Sequence, residues 1–449
     1  MSQRILLINP WIYDFSAYDF WMKPLGLFYM ASYLRKNGLE VQFIDCLDSG
    51  VTDICSLGEV KRPTRKQGGQ GKFIKEKIAR PEALAGIPKP YHRYGIPHHV
   101  LSKILKGSEK PRLILITSMM TYWYPGVFDV ISVVKDIFPD VQVVLGGIYA
   151  TLCYDHARKN AGADHVLPGP GERHISYIIN DILGEKIRYV PDEHDLDQLP
   201  YPAFDLLPAP EQVPLLTSRG CPFRCPYCAS KLLSNGFDRR APFKVVNEMA
   251  HWQKILGVRN FSFYDDALLS NPQEMAIPML KEIIRREMDC HFHCPNGLHL
   301  REITPEIANL LYKAGFKTIR FGLETTHWKR QQELGGKVDN SAFERAAAYM
   351  QEAGYSGKDI GVYLLCGMPD QTAQEIRESI LYVHSRGVKP ILAEYSPIPG
   401  TQLWNEARCA SSYPLAEEPL YHNNSLLPCA SASLTTETYQ ELKGLTRQF

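Results

Sequence analysis

The sequence lacks a long apolar run, a charge excess and any low-complexity or short-period repeat. A membrane-spanning helix needs about 20 mostly apolar residues in a row, so none is expected. Lys and Arg number 50 against 49 Asp and Glu, and the formal net charge of +1 gives no electrostatic reason to expect a nucleic-acid or membrane partner. Residues 1–8 contain no secretory signal, so a cytoplasmic location is expected.

Cysteine is scattered except in one short segment. In a reducing compartment, clustered cysteines indicate metal binding or catalysis more often than disulfides. Eight of the 11 cysteines are isolated, whereas Cys221, Cys225 and Cys228 lie within one eight-residue segment. The sequence therefore singles out these three as candidate metal ligands.

The first part of the chain alternates apolar runs, which predict strands, with amphipathic segments, which predict helices. At 449 residues, two or three domains are expected. The predicted strands are residues 4–8, 41–44, 113–117, 141–145 and 164–167. Strands and helices alternating at this spacing predict an α/β domain over residues 1–190 with a doubly wound, Rossmann-like parallel sheet.

Two segments interrupt the alternation. Residues 49–110 are polar and partly basic, which predicts a solvated insertion in the first domain. Residues 191–212 show no periodicity and contain several prolines, which predicts a linker.

A second alternating series follows the predicted linker. Its predicted strands are 213–218, 260–264, 291–294, 318–323, 360–365 and 391–395. Its predicted helices are 243–255, 272–286, 305–314, 340–352 and 373–386. Six βα repeats predict a partial (β/α)6 TIM-like barrel over residues 213–400, with its chemistry at the carboxyl ends of the strands. Residues 401–449 are predicted to form an irregular C-terminal extension.

The clustered cysteines directly follow the first predicted strand of the barrel. Iron–sulfur clusters are held by cysteine thiolates, normally four for a [4Fe–4S] cluster. Three thiolates would leave one iron open to a coreactant, as catalytic metal sites require. The alternative is a zinc knuckle whose fourth ligand is His291, His293 or Cys294.

The Cys-x3-Cys-x2-Cys spacing, with Tyr227 before the last cysteine, resembles the signature of the radical S-adenosylmethionine (SAM) superfamily. The resemblance extends over about residues 210–400. It implies a [4Fe–4S] cluster that chelates SAM and cleaves it to a 5′-deoxyadenosyl radical. It also implies SAM contacts from Tyr227, Asp265, Asp266, Glu324, Gly367 and Pro397.

A doubly wound domain before such a barrel resembles the cobalamin-binding class of the superfamily. The residues that this resemblance implies in cobalamin binding are Asn9, Pro10, Gly26, Ser118, Thr121, Gly146, Gly147, Ile148, Gly169, Gly171 and Glu172. Many cobalamin carriers present a histidine after their first strand as the lower cobalt ligand. Residues 9–24 contain none, so cobalamin is expected to be base-off and without a histidine ligand.

The cobalamin interpretation has alternatives. The first domain can instead bind no cofactor, or bind the substrate. Aromatic side chains near its strand ends either wall a corrin pocket or form core; they are Trp11, Tyr13, Tyr122, Trp123 and Tyr124.

The resemblance implies an enzyme that methylates an unactivated carbon by means of the 5′-deoxyadenosyl radical and methylcobalamin. One alternative keeps both cofactors but performs cyclisation, rearrangement or oxidation, and another is a non-enzymatic iron–sulfur sensor. The expected substrate is a small molecule or a peptide, and the expected partner is an electron donor such as flavodoxin or ferredoxin.

Overall fold

The computed structural model describes residues 4–48, 63–66 and 68–448. These divide into two compact units: unit 1 is Met1–Pro210 with Glu418–Leu420, and unit 2 is Glu211–Glu417 with Tyr421–Phe449. Residues 49–62 of the predicted insertion lie outside the described residues.

Unit 1 is built from short strands and helices that follow one another along the chain. Its strands are β1 Arg4–Asn9, β2 Ile12–Asp14, β3 Glu40–Asp45, β4 Lys75–Ile78, β5 Tyr91–Tyr94, β6 Leu113–Ile116, β7 Gln142–Leu145 and β8 His165–Val166. Its helices are α1 Leu25–Lys36, α2 His98–Gly107, α3 Tyr124–Ile137, α4 Ile148–Leu152, α5 Tyr154–Asn160 and α6 Gly171–Leu183.

A parallel sheet in the order β3-β1-β6-β7-β8 forms the centre of unit 1. Successive side chains of a strand point to opposite faces, so Leu6 and Ile8 pack with α2 and α3, whereas Ile5 and Leu7 pack with α1 and α6. Helices therefore cover both faces, and the predicted doubly wound sheet is confirmed. The chain passes from β1 to β3 on one side and then returns to β6 on the other side of β1. The strand order therefore reverses between β1 and β6, and sheets of this type bind ligands beyond the carboxyl ends of the strands at such a point.

The alternation of strands and helices resumes within the predicted insertion, before residue 110. Helix α2 buries Val100, Leu101 and Leu105 in the same core as α3. Its apolar face is narrow, and it follows a basic, glycine-containing stretch. The sequence therefore predicted a solvated insertion in place of this helix. The rest of the described insertion contributes β4 and β5 to an antiparallel sheet in the order β2-β5-β4.

The predicted linker is fixed against unit 1 over most of its length. Phe204 is fully buried, Ala203 N donates to Phe28 O at 3.0 Å, and Ser32 Oγ donates to Tyr201 O at 2.6 Å. Proline fixes its own φ angle but leaves its neighbours free to pack. The proline content of residues 191–212 therefore does not make this segment a free linker.

Unit 2 continues the alternation of strands and helices. Its strands are β9 Gln212–Leu215, β10 Ser218–Gly220, β11 Phe237–Arg239, β12 Asn260–Phe263, β13 His291–His293, β14 Phe316–Glu324, β15 Ile360–Cys366 and β16 Lys389–Glu394. Its helices are α7 Ser230–Leu233, α8 Pro242–Leu256, α9 Ala276–Arg285, α10 Pro305–Ala314, α11 Trp328–Glu333, α12 Asn340–Glu352, α13 Ala373–Ser385, α14 Trp404–Ala410 and α15 Thr436–Leu445.

The six predicted barrel strands are confirmed as a parallel sheet in the order β9-β12-β13-β14-β15-β16. Each strand lies beside its successor in the series, as a partial barrel requires. Phe263, Phe292 and Phe316 stack across β12, β13 and β14 with ring centroids 5.1–5.9 Å apart. This aromatic core holds together the strands whose carboxyl ends carry the candidate site.

The C-terminal extension is more regular than its sequence indicated. It contains α14 and α15, and the Thr435 side chain accepts a hydrogen bond from Thr438 N at the start of α15. Arg377 of α13 forms an ion pair with Glu441 of α15 at 3.1 Å, so the last helix packs against the barrel. Among the residues that the structure describes, no helix combines the length and apolarity needed to cross a bilayer.

Candidate active site

The cysteine loop, residues 221–228, begins directly after β10. Cys221 and Cys225 are half-buried and Cys228 is exposed. The backbone N–H of Ser230 donates to Cys228 Sγ at 3.4 Å, and the backbone N–H of Phe223 donates to Cys221. Backbone donors that face sulfur favour its anionic form. The loop therefore fits three cluster thiolates.

Burial opposes ionisation of the free thiols in this loop. It raises the pKa of Cys221 to about 11 and also raises the pKa of Cys228. Thiolate ligands must lose their protons when a metal binds, so metal binding has to supply the free energy of deprotonation. The loop is built to hold a metal centre rather than a free reactive thiolate.

The zinc alternative finds no support in the ligand geometry. Within residues 4–48, 63–66 and 68–448, no three His, Cys, Asp or Glu side chains converge on one metal ion. His293, a candidate fourth ligand, lies with Nδ1 3.0 Å from Thr318 Oγ1 and Nε2 3.2 Å from Asn260 Oδ1. A [4Fe–4S] cluster does not require convergence, because each of its cysteines binds a different iron.

Asp265 and Asp266 follow β12 but have different surroundings. Asp265 is buried and accepts hydrogen bonds from Thr217 N at 3.0 Å, Thr217 Oγ1 at 2.6 Å and Ser218 Oγ at 2.6 Å. Burial raises the pKa of Asp265 despite these bonds. Asp265 thus fixes the segment that leads into the cysteine loop, and its SAM contact stays a prediction.

Asp266 faces the cysteine loop itself. It accepts a hydrogen bond from Ser230 Oγ, and Ser230 N contacts the Cys228 sulfur. Its side chain keeps an exposed edge, but the surrounding protein desolvates it enough to raise its pKa. Of the two aspartates, Asp266 is the one placed beside the cysteines.

Glu324 ends β14 in a conformation that is unusual for its residue type. Its φ is +70°, in the left-handed region that non-glycine residues rarely adopt, and the register of β14 on β15 shifts at this point. Its carboxylate lies 2.9 Å from Lys337 Nζ, and Lys337 Nζ lies 3.3 Å from Tyr227 OH. This contact joins two predicted SAM residues, Glu324 and Tyr227, through a lysine that sequence reasoning missed.

His299 lies against the other side of the cysteine loop. Its ring stacks on Phe223 with centroids 4.1 Å apart, and 7% of the residue is exposed. Burial, followed by the charge of Lys337, lowers the pKa of His299 to about 3, so the ring is neutral at physiological pH. The loop therefore has an apolar, uncharged wall here, which no sequence signal indicated.

The last two predicted SAM residues lie at the ends of β15 and β16. Both Gly367 and Pro397 are buried. A Cβ at Gly367 would lie 3.0 Å from Leu427 of the C-terminal extension, so that segment covers the end of β15.

In unit 1, four predicted cobalamin residues meet at the ends of β6 and β7. Ser118 Oγ donates to Gly146 O at 2.6 Å, and Ile148 N donates to Ser118 O at 2.8 Å. Gly147 has φ +96°, and a Cβ there would lie 2.3 Å from Ser118 O. Only glycine fits this close backbone approach, which leaves a narrow cradle beside α4.

The other predicted cobalamin residues are spread around the same sheet edge. Asn9 is buried and donates to Asp45 Oδ1 at 2.7 Å, so its side chain is used within the protein. Gly169 N donates to Thr151 Oγ1 at 2.8 Å, which fixes the loop after β8. The remaining predicted residues are Pro10 and Thr121, which are buried, Gly26 in the first turn of α1, and Gly171 and Glu172 at the start of α6.

The aromatic residues near the strand ends belong mostly to the core. Trp11 is 1% exposed and its Nε1 donates to Ile96 O at 2.7 Å, while Trp123 Nε1 donates to Asp14 Oδ2 at 2.7 Å. Of the two interpretations left open by the sequence, burial favours core packing for these indoles. The ring of His98 stacks on Trp11 with centroids 4.4 Å apart, and its Nε2 lies 2.6 Å from Asp129 Oδ2. Helix α2 thus brings a histidine close to the end of β1.

Comparisons with known proteins agree with this geometry. The radical SAM superfamily profile matches residues 215–383, and the B12 binding domain profile matches residues 97–178. An uncharacterized methyltransferase of Pyrococcus horikoshii is 24% identical, over 68% of this chain and 71% of its own. The cytidylyl-2-hydroxyethylphosphonate methyltransferase of Streptomyces wedmorensis is 22% identical, over 93% of this chain and 84% of its own.

Among solved structures, the radical SAM methyltransferase TsrM of Kitasatospora setae, with cobalamin and a [4Fe–4S] cluster bound, superposes with a TM-score of 0.69. The superposition covers 99% of this chain and 91% of that chain at 16% identity, which is a likeness of fold. The B12 binding match lies within unit 1 and includes β6, β7 and β8, and the radical SAM match lies within unit 2 and includes β12, β13, β14 and β15. The chain therefore carries a radical SAM superfamily domain and a B12 binding domain, and it is an enzyme.

Proposed function

We propose that this chain is a cobalamin-dependent methyltransferase that methylates an unactivated carbon of a small molecule or peptide. The observation that carries the proposal is the presence, in one chain, of a three-cysteine loop at a barrel strand end and a glycine cradle at the edge of a B12-binding sheet. When bound, the cluster with SAM supplies a 5′-deoxyadenosyl radical, and cobalamin supplies the methyl group.

Residues of unit 2 hold and orient the first pair of cofactors. Cys221, Cys225 and Cys228 hold the cluster, and Asp265 fixes the segment before them. Glu324 and Asp266 offer carboxylates near the loop that suit the amino and hydroxyl groups of SAM. Deep burial of the barrel ends around Gly367 and Pro397 excludes water, which a carbon radical needs in order to react with its intended partner.

In unit 1 we propose that the Ser118–Gly147 cradle receives cobalamin, in the base-off state and without a histidine ligand. His98 is the residue that tests this point, because it stacks on Trp11 near the end of β1. Nitrogen ligation leaves a splitting in the electron paramagnetic resonance (EPR) spectrum of cob(II)alamin. We expect no such splitting and an unchanged spectrum in His98→Ala; a nitrogen splitting that disappears in His98→Ala would replace the base-off proposal with histidine ligation.

Methyl transfer is favoured by the two relatives reported above, whereas other similar proteins are named anaerobic magnesium-protoporphyrin IX monomethyl ester cyclases, so cyclisation stays the rival function. Both curated relatives reported above are named methyltransferases, and TsrM was solved with tryptophan as its substrate. We further propose that a flavodoxin or ferredoxin delivers the electron, because a [4Fe–4S] cluster takes up one electron at a time from a low-potential donor.

The decisive experiment needs no knowledge of the substrate. Anaerobically reconstituted protein is incubated with reductant, cobalamin and SAM carrying a deuterated methyl group. Methyl transfer to cobalt predicts deuterated methylcobalamin and one S-adenosylhomocysteine per methyl group, detected by mass spectrometry. The reaction without cobalamin is the control and should give no S-adenosylhomocysteine.

The rival functions predict other products. Cyclisation, rearrangement or oxidation predicts 5′-deoxyadenosine without methylcobalamin, and an iron–sulfur sensor predicts neither product. Either result would overturn the methyltransferase proposal while leaving the family assignment intact.

A further inference from the structure

Lys337 occupies the centre of the candidate site in unit 2, although neither its position in the sequence nor any motif singled it out. Its Nζ lies 2.9 Å from Glu324 Oε1, 3.3 Å from Tyr227 OH and 6.0 Å from the centroid of the Tyr227 ring. The side chains of Lys337 and Glu324 are only 15% and 10% exposed. The ammonium group is thus enclosed between the cysteine loop and the end of β14.

The ammonium group holds Glu324 in a place that the backbone does not favour. A left-handed conformation is strained for a non-glycine residue and persists only where neighbours impose it. Gly322 makes room for the pair, because a Cβ there would lie 2.8 Å from Glu324 Oε1 and 3.5 Å from Lys337 Nζ. The ion pair with Lys337 therefore fixes the Glu324 carboxylate in place despite the strain in its backbone.

The same cation also contacts the cysteine loop. Its Nζ lies 3.3 Å from the hydroxyl of Tyr227, the residue directly before the proposed cluster ligand Cys228. Water screens the ion pair of Lys337 and Glu324 little, because both side chains are largely buried.

We propose that Lys337 is a positioning residue that ties Glu324 to the cysteine loop and makes the [4Fe–4S] cluster easier to reduce. One electron enters the oxidised cluster from a low-potential donor of the ferredoxin or flavodoxin class, and no bond is made or broken. The reduced cluster carries one more negative charge, so a nearby fixed cation stabilises it more than the oxidised form. This inference rests on the cluster of the proposed function.

The test is the midpoint potential of the cluster in the full chain, measured without SAM by EPR-monitored redox titration. Lys337→Met should shift the equilibrium toward the oxidised form by about tenfold, which is about 59 mV for one electron. Lys337→Arg keeps the charge and should retain most of the wild-type potential. Lys329→Met is the matched control, because it removes an exposed lysine from α11 and should leave the potential unchanged.

Glu324→Gln provides an independent arm with the opposite sign. It removes a negative charge and leaves the cation, so the potential should rise. If Lys337→Met does not retain a cluster, the Glu324→Gln result decides, and an unchanged or lowered potential overturns the proposal. A wild-type chain that holds no [4Fe–4S] cluster would instead defeat the proposed function, whereas equal potentials in loaded wild type and Lys337→Met would defeat only the role of Lys337.

Discussion

At the scale of single residues, Gly147 is the position in the proposed cobalamin cradle that an added methyl group disturbs most. Its φ is +96°, and a Cβ added there would lie only 2.3 Å from Ser118 O, which leaves no room for alanine. We expect Gly147→Ala to destabilise unit 1 by about 2–3 kcal/mol, because both strain and a backbone clash are imposed. Cobalt retained per chain after reconstitution with cobalamin should fall sharply, as measured by elemental analysis.

The neighbouring glycine is a matched control for this substitution. A Cβ at Gly146 would meet nothing nearer than Leu167 O at 3.9 Å, and Gly146 has no left-handed φ. Gly146→Ala should therefore keep its cobalt. If both variants bound cobalamin like the wild type, the cradle beside Ser118 would not be the binding site.

Single residues also show where sequence reasoning ends. The cysteines were predictable, because their ligand function requires a short spacing along the chain. Lys337 was not, because it lies 13 residues from Glu324 and 110 residues from Tyr227, and only the fold brings them together. Asp265 was correctly predicted to follow a strand. Its hydrogen bonds to Thr217 and Ser218 were not predictable, because these partners are distant in the sequence and only the fold brings them to Asp265.

At the scale of elements, Asp265 joins the end of β12 to the segment between β9 and β10. A hydrogen bond to a charged group contributes about 1.5–3 kcal/mol to the stability of a protein, and the buried Asp265 carboxylate accepts hydrogen bonds from three protein donors. We expect Asp265→Asn to cost about 2 kcal/mol in urea denaturation, because an NH2 group replaces Oδ2, which accepts from Thr217 N at 3.2 Å, and would face that donor with another donor. The iron content per chain should fall with it.

Asp266→Asn separates this structural task from a cofactor contact. Asp266 accepts from Ser230 at the protein surface, so the substitution should leave the denaturation midpoint within error of wild type. Its iron content should also be retained, while SAM affinity measured by equilibrium binding falls. Equal losses of stability in both variants would contradict the distinction between the two aspartates.

Strands and helices were predictable where the periodic pattern of apolar residues continued over a long stretch of sequence without interruption. The strands of unit 2 carry apolar runs between helices with clear starts, such as α10 after Thr304 and α12 after Asp339, whose side chains cap the helices. Helix α2 was missed because only its own narrow face enters the core. The extension was missed because α14 and α15 are short and polar, and packing against the rest of unit 2 rather than propensity stabilises them.

At the scale of the whole molecule, each of the two units has a hydrophobic core of its own. The sheet of unit 1 is covered on both faces by its own helices, and unit 2 has its own aromatic and aliphatic core. A unit with its own core can fold and hold its ligand when a ligand residue of another unit is changed. The fold of each unit therefore follows from the pattern of apolar residues in its own part of the sequence. The identity of the substrate does not follow from that pattern.

The separate cores lead to a prediction about metal content. Cys225→Ala removes one of three cluster ligands from a half-buried position, where alanine is easily accommodated. We expect iron per chain to fall to near zero, because the remaining two thiolates cannot hold the cluster. Cobalt per chain after reconstitution with cobalamin should stay at the wild-type value, since the cradle of Ser118 and Gly147 lies in the other unit. Elemental analysis of both metals in one sample checks this, and simultaneous loss of iron and cobalt would mean that cobalamin binding depends on the loaded cluster.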